Sequence, residues 1–193
     1  MTDRVPESLQ AALADLTKWL DETEILAVVI GGVAASVLGR PRLTHDIDAL
    51  AILPETEWSR AVMAAAPHGI VPRIGDALDF ARRSRVLLMR HRASAIDLDI
   101  TFGGLPFERS TVERGSIHSV GGVLVRLPRV EDLLVMKAVA HRPKDLEDIA
   151  GLLDANPEAD VAEVRGWVRE FATAASMPDI LDDLDRLLAR RRQ

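Results

Sequence analysis

Ile25-Leu26-Ala27-Val28-Val29-Ile30-Gly31-Gly32-Val33-Ala34, followed by Arg42-Leu43-Thr44-His45-Asp46-Ile47-Asp48-Ala49-Leu50, is the stretch on which the fold turns. The run up to Ile30 is continuously apolar and rich in β-branched side chains. That predicts a strand buried on both faces. Gly31-Gly32 ends it, and residues 33–38 read as a short helix that stops at Gly39. Residues 46–52 read as a second strand. Along a strand, residues i and i+2 share a face, so Asp46 and Asp48 are expected to project together.

Two carboxylates that close repel each other unless a cation neutralises them. A hard divalent ion such as Mg²⁺ takes one or two carboxylates together with phosphate oxygens and water. Glycine allows close backbone approach at the head of a helix, where N–H groups attract phosphate. Gly31-Gly32 and Asp46-Ile47-Asp48 therefore complement each other: one half suits a triphosphate, the other suits its metal. Residues 95–100 form another strand candidate carrying Asp97 and Asp99, again i and i+2. Either one offers a third carboxylate for a two-metal site or for deprotonating an acceptor hydroxyl.

Outward from this centre, Leu9, Leu13, Leu16 and Leu20 recur at helical spacing. A helix is expected from Pro54 through Trp58, Val62 and Ala65 to the breakers near Pro67-His68-Gly69. Residues 86–89 and 95–100 read as an antiparallel hairpin, and residues 120–127 as a β-pair or a loop around Gly121-Gly122. After Pro128, residues 131–140, 144–153, 159–172 and 180–190 carry helical periodicity. The expected organisation is a mixed αβ core over residues 1–128 and a helical region over 129–193, an α+β fold.

The 193 residues are 48% hydrophobic and 28% charged, with a net charge of −6 and no cysteine. Such a chain builds a sizeable core, has no thiolate metal site or cysteine nucleophile, and lacks a general polyanion-binding surface. Residues 82–92 hold Arg82, Arg83, Arg85, Arg90 and Arg92, and Arg190-Arg191-Arg192 lie at the end. These arginines read as solvated faces first and RNA contacts second. No basic leader or bilayer-length apolar run is visible, so a cytoplasmic protein without a membrane partner is expected.

Gly31-Gly32-Val33-Ala34 with Arg42-Leu43-Thr44-His45-Asp46-Ile47-Asp48 resembles the signature of polymerase β-like nucleotidyltransferases. More narrowly, it is similar to the AbiEii/AbiGii-type toxin nucleotidyltransferases. Residues 135–149, with Lys137, Arg142, Lys144, Asp145 and Asp148, resemble that group's second block. The resemblance implies Mg²⁺- or Mn²⁺-dependent transfer of a nucleoside monophosphate from a nucleoside triphosphate. Asp46 and Asp48 are the implied metal ligands, with Asp99 preferred over Asp97 as the third. Gly31, Gly32, Arg42, Thr44, Lys137, Arg142 and Asp145 are implied around the nucleotide, and Lys137, near the triphosphate, is implied as catalytic with Asp46, Asp48 and Asp99. Implied acceptors are RNA, such as tRNA, or a protein, and an antitoxin partner follows if the chain is a toxin. Gly39-Arg40-Pro41 also suggests an alternative, small-molecule adenylation of the aminoglycoside type. A nucleotide-binding module without turnover is a third. On residue chemistry alone, a surface ion pair between Lys144 and Asp148 at i, i+4 accounts for that helix.

Overall fold

A computed structural model describes residues 5–191. Among them the helices are α1 (Glu7–Glu22), α2 (Gly31–Leu38), α3 (Trp58–Ala65), α4 (Ala77–Ser84), α5 (Pro106–Glu113), α6 (Val130–Ala140), α7 (Pro143–Ala155), α8 (Val161–Ala175) and α9 (Asp179–Arg191). The strands are β1 (Leu26–Ile30), β2 (Asp46–Ile52), β3 (Ile70–Pro72), β4 (Val86–His91), β5 (Asp97–Phe102), β6 (Ser116–Val120) and β7 (Val123–Leu127). Mixed sheet and helices together make the α+β fold expected from the sequence. No described helix is long and apolar enough to cross a membrane. Arg192 lies outside the described residues, as do the side chains of Arg190 and Arg191.

The chain divides into two compact units. The first comprises the described residues up to Val33 together with Leu43–Pro128; the second comprises Ala34–Arg42 and the described residues from Arg129 on. In the first, five strands run in the order β1-β2-β5-β4-β3. β2 and β5 are parallel, and every other neighbouring pair is antiparallel. The expected hairpin of β4 with β5 forms. Alternation is strict along β5: Leu98, Ile100 and Phe102 are buried while Asp97, Asp99 and Thr101 take the other face. The same alternation in β2 buries Ile47 and leaves Asp46 and Asp48 opposite. Phe102 stacks on Trp58 with ring centroids 4.2 Å apart, and Phe107 is buried as well, so both are core residues.

β6 and β7 form a separate antiparallel pair, settling residues 120–127 as a hairpin arm. Gly121 and Gly122 turn it with φ of 58° and 87°, the doubly left-handed turn that suits a two-residue hairpin. Four short elements escaped the sequence reading: β3, α4, α5 and β6, of which only Val120 lay in the stretch read as a β-pair or loop. β3 is an edge strand ending in Pro72, where a missing N–H costs no ladder bond. In the second unit α6 packs against α7, α8 and α9. Val135, Ile149, Leu152, Val164, Val168 and Leu184 are buried there.

Candidate nucleotide and metal site

Register builds the first cluster. β1 pairs with β2 so that Ile30 lies opposite Asp48, which brings the next residue, Gly31, over the Asp48 side chain. A Cβ added to Gly31 would lie 1.8 Å from Asp48 Oδ2, and Gly31 has φ of +61°. Both facts demand glycine. Helix α2 begins at Gly31 itself, so the Gly-Gly pair opens the helix where the sequence suggested a turn before it. Gly32 is buried in that first turn.

The parallel pairing of β2 with β5 sets Asp46 against Asp97 and Asp48 against Asp99. Four carboxylates thus share one sheet face. Thr44 is buried and donates its hydroxyl to Asp46 Oδ1 at 2.9 Å, fixing that carboxylate's orientation. Asp46 is exposed, and Asp48 is half-buried. Two arginines enter here: Arg73, which no sequence pattern singled out, and Arg90, read from the sequence only as part of the arginine-rich stretch 82–92. Arg73, just beyond β3, reaches Asp97 Oδ2 at 2.6 Å and Asp99 Oδ1 at 2.9 Å. Arg90 on β4 reaches Asp97 Oδ1 at 2.6 Å. Their recruitment depends on strand order, which no local sequence signal carries.

The carboxylates on β5 differ in acidity. The hydrogen bond from Arg90, against the opposing effect of burial and with help from Arg73, holds Asp97 below the usual range. Burial pushes Asp99 above it; Asp46 and Asp97 add to the rise, and Arg73 offsets part of it. Asp99 therefore feels the charge of its neighbours, as one member of an electronegative group should.

The all-oxygen donor set of Asp46 and Asp48, with the Asp48 carboxylate lodged in the space a Gly31 Cβ would fill, fits a hard divalent cation. Among the described residues no group of three or more His, Cys, Asp and Glu is arranged to hold a metal ion. Arg73 bridges Asp97 and Asp99, its guanidinium fork spread across one oxygen of each.

The second unit gathers Lys137, Arg142, Asp145, Asp148 and Arg42. Lys137, only 4% exposed, places Nζ 2.9 Å from Asp145 Oδ1 and 2.8 Å from Asp148 Oδ2. Arg142 donates its backbone N–H and Nε to Asp145 Oδ2, at 3.3 and 2.5 Å, at the start of α7. Arg42 grips Asp148 through Nε at 2.8 Å and Nη2 at 3.1 Å. Asp148 is thus held by Lys137 and Arg42, where spacing along the helix suggested Lys144. Burial alone would raise the Asp145 carboxyl, but the hydrogen bonds from Arg142 and Lys137 outweigh it and keep it low.

The arginines of residues 82–92 scatter over several elements. Arg82 pairs with Asp79 and Glu55, Arg83 with Asp76, and Arg90 with Asp97. Arg85 donates to the Phe102 carbonyl.

Residues 9–175 match the family described as nucleotidyl transferases of unknown function, DUF2204. The chain belongs to that family. It is a nucleotidyltransferase, and nucleoside triphosphates are the substrates of that class. No curated protein sequence matches the chain. Among solved structures, an antigenic nucleotidyltransferase-like protein from Paracoccidioides brasiliensis aligns over 94% of both chains, at 16% identity and a TM-score of 0.53. The antibiotic-resistance factor ANT(2'')-Ia aligns over 90% of this chain and 97% of its own, at 14% identity and 0.58. The lincosamide antibiotic adenylyltransferase LnuA aligns over 79% of this chain and 99% of its own, at 14% identity and 0.52. These likenesses establish the nucleotidyltransferase fold of this DUF2204 chain.

Proposed function

We propose that this chain moves a nucleoside monophosphate from a nucleoside triphosphate to an acceptor hydroxyl on the sheet face of Asp46, Asp48 and Asp99. The observation that carries the reading is the Asp48 carboxylate packed under Gly31 beside Asp46, which brings a metal-binding pair to the head of a helix. Asp46 and Asp48 would hold Mg²⁺ or Mn²⁺, which when bound neutralises the triphosphate and polarises the phosphoryl group under attack. Thr44 keeps Asp46 Oδ1 aimed. The opening turn of α2 offers N–H groups to phosphate oxygens. Asp99, its carboxyl pushed up by burial and by its acidic neighbours, is suited to take the acceptor's proton on a carboxylate oxygen. The preference for Asp99 over Asp97 is supported by Asp97's hold on two arginines. The Lys137 cluster supports α6 and α7 from within; we assign it no chemical step.

Two acceptor classes divide the reading. The resemblance to toxin enzymes favours RNA, tRNA above all, or a protein, with an antitoxin as regulator. A cationic small molecule, of the kind antibiotic adenylyltransferases take, is supported by the net charge of −6 and by arginines already engaged in internal ion pairs. The test supplies purified protein with each α-labelled nucleoside triphosphate and Mg²⁺. Acceptors are a total RNA pool, the protein itself, or a panel of aminoglycosides and lincosamides. An Asp46→Ala/Asp48→Ala control runs beside it. Label entering one acceptor with the wild type alone names the class. Label entering the control equally would overturn the site assignment.

A further inference from the structure

The acidic face holds a cation of its own. We propose that Arg73 is an internal competitor of the metal, holding Asp99 in the metal-free protein and yielding it when a divalent cation binds, so that Arg73 sets the site's metal affinity. This rests on the nucleotidyl-transfer reading above.

Position comes from strand order. Pro72 pairs with Met89, and the Arg73 backbone N–H donates to the Leu88 carbonyl at 2.9 Å. Leu88 in turn lies opposite Asp99. Arg73, Leu88 and Asp99 therefore form one row across three strands, and the Arg73 side chain spans β4 to reach β5. Arg90 and Asp97 form a neighbouring cross-strand pair. The two aspartates are consequently unequal. Asp97 keeps Arg90 if Arg73 leaves, whereas Arg73 is the cation paired with Asp99 among the described residues.

A guanidinium stays charged at any accessible pH, so it cannot make room by losing a proton. A divalent cation drawing on Asp99 competes with it, because two cations held at one carboxylate repel each other. Arg73 retains 24% of its side-chain exposure, and solvent is therefore open to it. A displaced guanidinium fork also has the chemistry to meet phosphate oxygens. Arg73 is thus a positioning residue for Asp99, with an exchange of partners built into its chemistry.

The test is Mn²⁺ titration without nucleotide, read by loss of the free-ion paramagnetic resonance signal, with melting temperature recorded alongside. Arg73→Gln should bind Mn²⁺ about ten-fold more tightly, from an effect of about 1.4 kcal/mol. Arg73→Gln/Asp99→Asn should lose the gain. A residue with a purely structural role would lower stability and metal affinity together. Unchanged or weaker Mn²⁺ binding by a folded Arg73→Gln protein overturns the proposal. If that variant fails to fold, Arg73→Lys serves: the charge stays but the two-pronged grip is lost, so a smaller gain is expected and no gain overturns it. Asp46→Asn is titrated in parallel. Wild-type Mn²⁺ affinity there would sink the underlying metal-site reading, whereas a normal Asp46 effect without an Arg73 effect would sink the competitor alone.

Discussion

The two charged clusters of this chain are built from the same residue types to opposite ends. On the sheet, four carboxylates lie on one face, of which Asp97 and Asp99 are held by Arg73 and Arg90, and water reaches them: Asp46 is exposed, and Asp97 and Asp99 are part-exposed. In the helical unit, two carboxylates share Lys137, Arg42 and Arg142, and Asp145 is 0% exposed. An accessible surplus of negative charge recruits a cation. A buried set in which every carboxylate has its cation needs nothing further, and it loses heavily when one partner goes. Charged residues in a helix or strand therefore say little until burial and the local charge balance are known.

The largest expected effect falls on the buried cluster. Lys137→Met leaves Asp145 and Asp148 short of a partner and should cost about 3–5 kcal/mol in urea unfolding. Because Asp145 is held below its usual range when folded, its contribution is present above its ordinary pKa near 3.8 and is lost as pH falls through the depressed value. Wild-type stability should accordingly drop below about pH 4, and the drop should be shallower in Lys137→Met.

On the sheet the signature inverts. Asp46→Asn should reduce nucleotidyl transfer on the order of a hundred-fold, equivalent to about 2.7 kcal/mol of barrier. Its melting temperature should stay near wild type, since Asp46 is exposed. A large loss of stability there, or none in Lys137→Met, would erase the contrast between the clusters. Gly31→Ala bridges the two kinds of effect. Its methyl would collide with Asp48 Oδ2 on a left-handed backbone. We expect a loss of about 1–3 kcal/mol of stability together with most of the transfer activity. The smallest effect is Thr44→Val, which removes one hydrogen bond to Asp46. Transfer should fall roughly five-fold, from about 1 kcal/mol, with stability hardly changed.

The five-stranded sheet was only partly visible in the linear chain. Long apolar runs, alternation and paired breakers identified β1, β2, β4 and β5, because strand burial leaves a period of two in the residues themselves. β3 escaped because three residues ending in proline make no pattern. α4 escaped because its segment, with Arg82, Arg83 and Ser84, reads as a polar connection.

What the sequence by itself determined is the local chemistry: Asp46 beside Asp48 through strand periodicity, a glycine pair after a buried strand, and a helical stretch beyond Pro128. Tertiary structure alone decided which distant groups share that chemistry. The parallel pairing of β2 with β5 sets Asp48 beside Asp99, and β3 at the sheet edge delivers Arg73 to both carboxylates of β5. The physical reason is range. Periodicity acts between residues a few positions apart and is written in their order, whereas ion pairing follows strand register, which the whole sheet settles by burying its apolar face.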